Sequence, residues 1–136
     1  MPRRKAILLI DDELNMLRLN TRVLEREGYH VLPAQNIRDA RALIKGVVFH
    51  AAVVDIDLKD GSGLDFCREL REKEDIPIVF LTALKGKEYE KAVYDAGASG
   101  FITKPYRIED LTGTLAALLA AAAEGSTLDS AKCEIL

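Results

Sequence analysis

Soft metal ligands are scarce in this 136-residue chain, which has two cysteines, Cys67 and Cys133, and two histidines, His30 and His50. Two cysteines without a secretion signal argue against a disulfide framework, and Cys67, on an expected helix, reads as a packed or half-exposed thiol. Each histidine stands alone at the start of an expected strand, with no ligand or base partner at useful spacing, so neither is assigned chemistry. A basic excess is missing too. Lys and Arg number 19 against 22 Asp and Glu, a formal net charge of −3. Direct nucleic-acid binding normally leaves a strongly basic footprint and is not expected here. No apolar run approaches the roughly 18 residues that span a bilayer. The basic start over residues 1–5 and the apolar run Ala6–Ile10 could open a secretory signal, but Asp11-Asp12 cut it short. A cytoplasmic chain without membrane association is the expectation.

What is present is an ordinary globular balance, 49% hydrophobic and 30% charged, at a length that fits one domain able to bury its own core. Short apolar runs recur five times, at Ala6–Ile10, 30–33, Ala51–Asp55, 76–81 and Gly100–Thr103. Most are continuous rather than alternating, as when both faces of a parallel sheet are covered. Segments of helical period separate them. Leu14, Leu17, Thr21 and Leu24 step by three and four, and Gly28 follows as a stop. Asn36 has the character of an N-cap for a helix reaching Lys45, with Asp39 at the favourable third position. Leu64, Cys67 and Leu70 mark a third helix. Tyr89, Ala92, Val93 and Ala96, ended by Gly97, mark a fourth. Leu111, Leu115, Leu118 and Leu119 mark a fifth in an alanine-rich stretch. Five strands alternating with five helices predict a doubly wound α/β fold over residues 1–123. Residues 124–136 lack periodicity and are expected to form a flexible C-terminal tail. There is no internal repeat.

Such folds place their site at the carboxyl ends of the strands. The first expected strand delivers Asp11 and Asp12 there, the third Asp55, the fourth Thr82, and the fifth Lys104 followed by Pro105. Each residue has a bland reading: the aspartates as caps or turn formers, Thr82 as a cap, Lys104 as a surface lysine. Together they read as a site. Three close carboxylates repel unless a cation screens them, and hard oxygen donors suit Mg²⁺, with Mn²⁺ also possible. A carboxylate such as Asp55 can act as the nucleophile that forms an aspartyl-phosphate. Lys104 would supply charge stabilisation from the other side.

The runs Ile7-Leu8-Leu9-Ile10-Asp11-Asp12-Glu13, Val53-Val54-Asp55 with Gly63-Leu64, Phe80-Leu81-Thr82-Ala83 and Gly97 through Pro105 resemble the receiver domain of two-component response regulators. The likeness extends from about Lys5 to Ala122, with every motif in order. It implies a flavodoxin-like, five-stranded parallel sheet in the order 2-1-3-4-5. It makes Asp55 the phosphoacceptor, fed by a sensor histidine kinase or phosphotransfer protein, with Asp11, Asp12 and Asp55 on the metal. Asp57 would lend its backbone carbonyl to the ion. Lys104 would pair with the phosphoryl group, Thr82 would hydrogen-bond it, and Phe101 would be the aromatic switch residue. The Lys104-Pro105 bond would be cis. The surface around the fourth helix, fifth strand and fifth helix would then change for an effector or output domain that is not identified. The last helix lacks the arginine-rich face of the winged-helix members, so their dimer is not expected. The chain is either a stand-alone receiver or the receiver part of a longer protein.

Two other functions compete. Asp55-Ile56-Asp57 after an apolar strand also resembles the DxD nucleophile motif of haloacid-dehalogenase-type phosphatases. There, however, the motif ends the first strand, and a threonine is usual where Lys59 stands. A degenerate receiver that binds partners without being phosphorylated is the other, and the intact set Asp11, Asp12, Asp55, Thr82 and Lys104 argues against it. On the favoured reading the chain is a signalling phosphoacceptor that catalyses only its own phosphorylation and dephosphorylation.

Overall fold

Ala6–Ile10 (β1), Ala51–Asp55 (β3) and Ile78–Thr82 (β6) are buried at every position, which is why their sequences run apolar without alternating. They form the centre of a parallel sheet whose edges are His30–Ala34 (β2) and Gly100–Thr103 (β7), where burial is incomplete. The sheet order is β2-β1-β3-β6-β7. Counting only these five strands, that is the expected 2-1-3-4-5. Two short strands outside the main sheet, Asp57–Leu58 (β4) and Gly61–Ser62 (β5), pair antiparallel just beyond β3. The computed structural model describes residues 4–58, 61–73, 75–83 and 86–135, with the backbone alone for 57, 58, 61, 62 and 124–135.

The pleat sends successive side chains to opposite faces, so each strand feeds two cores. Leu8, Ile10, Ala52, Val54, Ile78 and Phe80 meet one face. There they pack on Ile37–Gly46 (α2), Gly63–Lys73 (α3) and Lys87–Asp95 (α4) through Ala40, Phe66, Leu70 and Val93. Ile7, Leu9, Val53, Val79 and Leu81 meet the other, against Leu14–Arg26 (α1) and Ile108–Ile135 (α5) through Leu17, Leu24, Leu111, Leu115 and Leu119. Each fully buried Val, Leu, Ile or Phe side chain among them contributes roughly 1.5–3 kcal/mol. Two apolar layers therefore hold the sheet, and its strand ends are free to carry polar groups.

The helix ends follow local chemistry. Gly28, at φ 96°, turns the chain out of α1 so that the Tyr29 amide donates to the Leu24 carbonyl. Asn36 caps α2 as expected, its Oδ1 accepting from the Asp39 amide at 2.8 Å. The start of α1 differs from expectation. Its N-cap residue is Glu13, which makes no side-chain cap, while Asp11 Oδ1 accepts from the Glu13 amide at 2.9 Å. The fourth sheet strand begins at Ile78 rather than at 76, because Pro77 has no N–H for the ladder. The helical backbone of α5 runs on to Ile135, through the span read as a tail, carried into it by the alanine-rich stretch. Cys67 is buried, and burial pushes its thiol up to about 11, so it is inert packing rather than a reactive group. His50 is also structural: its Nδ1 accepts from the Ala6 amide at 2.9 Å.

Candidate functional site

Strand register decides what meets at the carboxyl rim of the sheet. Ile10 lies opposite Val54, Asp55 opposite Leu81, and Thr82 opposite Thr103. Asp11 is therefore level with Asp55, while Thr82 stands one residue and Lys104 two residues further along their strands, all at the same rim. Asp11, Asp55 and Thr82 are buried, and Asp12 is half-buried. One carboxylate oxygen from each of Asp11, Asp12 and Asp55 can be chosen so that all lie within 4.8 Å of one another. Lys104 Nζ donates to Asp55 Oδ2 at 3.0 Å, closing the rim on the opposite side. The Lys104-Pro105 peptide is cis.

The electrostatics follow from this crowding. Burial, reinforced by the Asp55 charge, pushes the Asp11 carboxyl up to about 6, against the Glu13 amide and Lys104, which favour its ionised form. Lys104 shows the opposite balance. Burial alone would lower its pKa, but the hydrogen bond and charge of Asp55, with the Asp11 charge, hold it above the ordinary lysine value. Asp11 Oδ2 is buried with no hydrogen-bond partner. An orphaned carboxylate oxygen beside two further carboxylates is a donor set that a hard divalent cation would complete, so the residues fit Mg²⁺. Without a cation this arrangement stores repulsion. Metal-free Asp11→Asn keeps the acceptor for the Glu13 amide and removes one of three like charges. Its melting temperature in excess chelator should exceed that of the wild type by roughly 3–6 °C, the effect of about 1 kcal/mol in a domain of this size. Calorimetry decides it, and a lower melting temperature would mean that the carboxylates are not in conflict.

The remaining site residues fall in two places. Thr82 Oγ1 donates to the Tyr89 hydroxyl at 3.3 Å. Phe101, opposite Phe80 in β7, is half-buried and meets Tyr94 of α4 edge-on, with ring centroids 5.8 Å apart and planes at 71°. Asp57 opens the small hairpin beyond Asp55, where the backbone pairs it with Ser62. Two features escaped the sequence reading. Periodicity puts Tyr89 on the inward face of its helix but does not give its contact with Thr82. Asn20, a polar residue within the apolar stripe of α1, is buried and donates through Nδ2 to the Tyr106 hydroxyl at 2.8 Å, tying α1 to the loop after Lys104.

A family model described as the response regulator receiver domain matches residues 7–116. The chain is 34% identical over 121 residues to the transcriptional regulatory protein ResD of Bacillus subtilis (strain 168), covering 88% of this chain and 50% of ResD. It is 37% identical over 119 residues to the phosphate regulon transcriptional regulatory protein PhoB of Pseudomonas aeruginosa, covering 85% of this chain and 52% of PhoB. The chain thus spans about half the length of these curated relatives. Among solved structures it is similar to a CheY-like response regulator receiver domain protein from Methanospirillum hungatei JF-1. The TM-score is 0.84 at 27% identity, over 90% of this chain and 98% of that one.

Proposed function

The chain belongs to the response regulator receiver domain family of two-component signalling, and from that premise we propose that it is a phosphorylation switch whose acceptor is Asp55. The observation that carries the reading is the rim itself, where the Asp55 carboxylate sits between the Lys104 ammonium at 3.0 Å and the carboxylates of Asp11 and Asp12. A histidine kinase or phosphotransfer protein is the donor. An Asp55 oxygen forms the new O–P bond as the donor's N–P bond breaks, and the imidazole leaves with that electron pair. Lys104 faces the charge that builds on the phosphoryl oxygens. Asp11, Asp12 and Asp55, with the Asp57 carbonyl, would hold Mg²⁺ or Mn²⁺, which would supply positive charge against the phosphoryl oxygens. The chain turns over only its own phosphoryl group. The location is cytoplasmic, which the absence of any helix long and apolar enough to cross a membrane, among the described residues, is compatible with.

Phosphorylation adds about −1.5 to −2 charges and three acceptor oxygens at one point. Thr82 turns its hydroxyl to one of them and Lys104 adds a charge-assisted bond. Such bonds contribute roughly 1.5–3 kcal/mol each. It is their excess over the resting Lys104–Asp55 and Thr82–Tyr89 bonds that counts toward the about 5.5 kcal/mol that turns a 1:99 equilibrium into 99:1. The space behind Thr82 is then open to Phe101, and the face formed by α4, β7 and α5 changes. Its effector is a downstream protein or an output domain.

Incubation with acetyl phosphate and Mg²⁺ followed by intact-mass measurement tests the reading. One hydroxylamine-labile phosphoryl group per chain is the expected result. Steady turnover of small phosphate esters would favour a phosphatase instead, and no reaction a degenerate module. The metal half has its own check. Saturating Mg²⁺ should raise the melting temperature, since ligand at about 100 times its Kd stabilises by about 2.7 kcal/mol. Asp12→Ala should lose most of that gain, and an Asp12→Ala variant with unchanged Mg²⁺ affinity would remove Asp12 from the metal set.

A further inference from the structure

Tyr89 stands in the first turn of α4, and the chemistry proposed for the rim does not use it. Its ring packs against the core on the α2–α4 face, and its hydroxyl accepts from Thr82 Oγ1 at 3.3 Å. Thr82 is fully buried, so where its single hydroxyl proton points is set by protein groups rather than by water. That proton cannot be given to Tyr89 and to a phosphoryl oxygen at once. The helix bearing Tyr89 is lightly held. It has nine residues, its one fully buried residue is Val93, and its N-cap, Gly86, sits at φ 127° without a side-chain cap. Movement of the Tyr89 hydroxyl is therefore movement of the first turn of α4. Phe101 brings no hydroxyl to the same region, so the phenol that reaches Thr82 comes from α4.

We infer that Tyr89 is a positioning residue of the switch: its hydroxyl holds Thr82 in the unphosphorylated orientation and ties that orientation to the amino-terminal turn of α4. The inference rests on Asp55 being the acceptor. When Thr82 turns to the phosphoryl group, the Thr82–Tyr89 bond breaks and α4 loses a tether at its amino-terminal turn. The hydrogen bond thus belongs to the resting state alone, and its loss favours the active one.

Tyr89→Phe removes the hydroxyl and keeps the ring. In NMR spectra with Mg²⁺ but no phosphoryl mimic, the amide resonances of Thr82, Val93 and Phe101 in Tyr89→Phe should move from the wild-type positions toward those of the beryllofluoride complex. The beryllofluoride concentration at half-saturation should fall about two- to tenfold, the effect of one neutral hydrogen bond. In a Thr82→Ala background, adding Tyr89→Phe should move the unliganded resonances along that line by less than half as much, because the partner is gone. A purely structural tyrosine would act equally in both backgrounds. Unchanged or weaker beryllofluoride binding by Tyr89→Phe, or equal effects with and without the Thr82 hydroxyl, would overturn the inference and leave Asp55 as acceptor. A wild type that binds no beryllofluoride at Asp55 overturns both readings together.

Discussion

Asp55→Asn should take up no phosphoryl group from acetyl phosphate and Mg²⁺, a complete loss, while its melting temperature stays within a few degrees of the wild type. The amide keeps the shape of a side chain that is 6% exposed but has no anionic oxygen with which to attack phosphorus. Two electrostatic changes oppose each other in stability. Lys104 loses its ionic partner, yet it is 30% exposed and can turn to water. Asp11 loses the neighbouring charge that helps to hold its pKa up. Intact mass after labelling reads the first half of the expectation and calorimetry the second. Undiminished, hydroxylamine-labile labelling of Asp55→Asn would move the acceptor to Asp11 or Asp12, and the roles of the three carboxylates would have to be exchanged.

The central strands were legible because burial on both faces leaves an apolar run that only polar strand ends interrupt. Asp11, Asp55 and Lys104 could be picked out from where those runs stop. Their mutual distances could not, since these depend on a register in which Ile10 meets Val54 and Asp55 meets Leu81. Periodicity placed Tyr89 on the buried face of its helix, but it names a face and not a partner. The Thr82–Tyr89 bond depends on how α4 sits against the sheet, which no local pattern gives. Asn20 was hidden for a similar reason. A polar residue in an apolar stripe has a partner somewhere, and its partner Tyr106 lies 86 residues away. The hairpin formed by β4 and β5 has too few residues to leave any pattern. The role given to the Asp57 carbonyl therefore rests on family likeness rather than on its own sequence signal. Leu84, where the sequence places a side chain that could bias water access to the rim, lies outside the described residues.

Gly63→Ala should lower the melting temperature by roughly 10 °C and weaken phosphorylation at the same time. Gly63 opens α3 directly beneath the acceptor, and its amide donates to the Ile56 carbonyl at 3.1 Å. A Cβ there would stand 2.7 Å from the Asp55 carbonyl oxygen and 2.9 Å from Ile56 Cα. Both are backbone atoms, so no side chain can swing aside to make room. Either α3 moves off the sheet, breaking its packing through Phe66 and Leu70, or the end of β3 moves and carries Asp55 with it. Overpacking typically costs about 1–3 kcal/mol, and a clash with two backbone atoms belongs at the upper end. In a domain of this size that corresponds to roughly 10 °C. Gly113→Ala supplies the control. Gly113 lies inside α5 and a Cβ there meets nothing within 4 Å, so helix propensity alone predicts a gain of up to about 1 kcal/mol. The two glycine substitutions should thus change stability in opposite directions under identical thermal denaturation. A Gly63→Ala variant as stable and as readily labelled as the wild type would mean that α3 is free to slide, and the rigid seat beneath Asp55 would have to be given up.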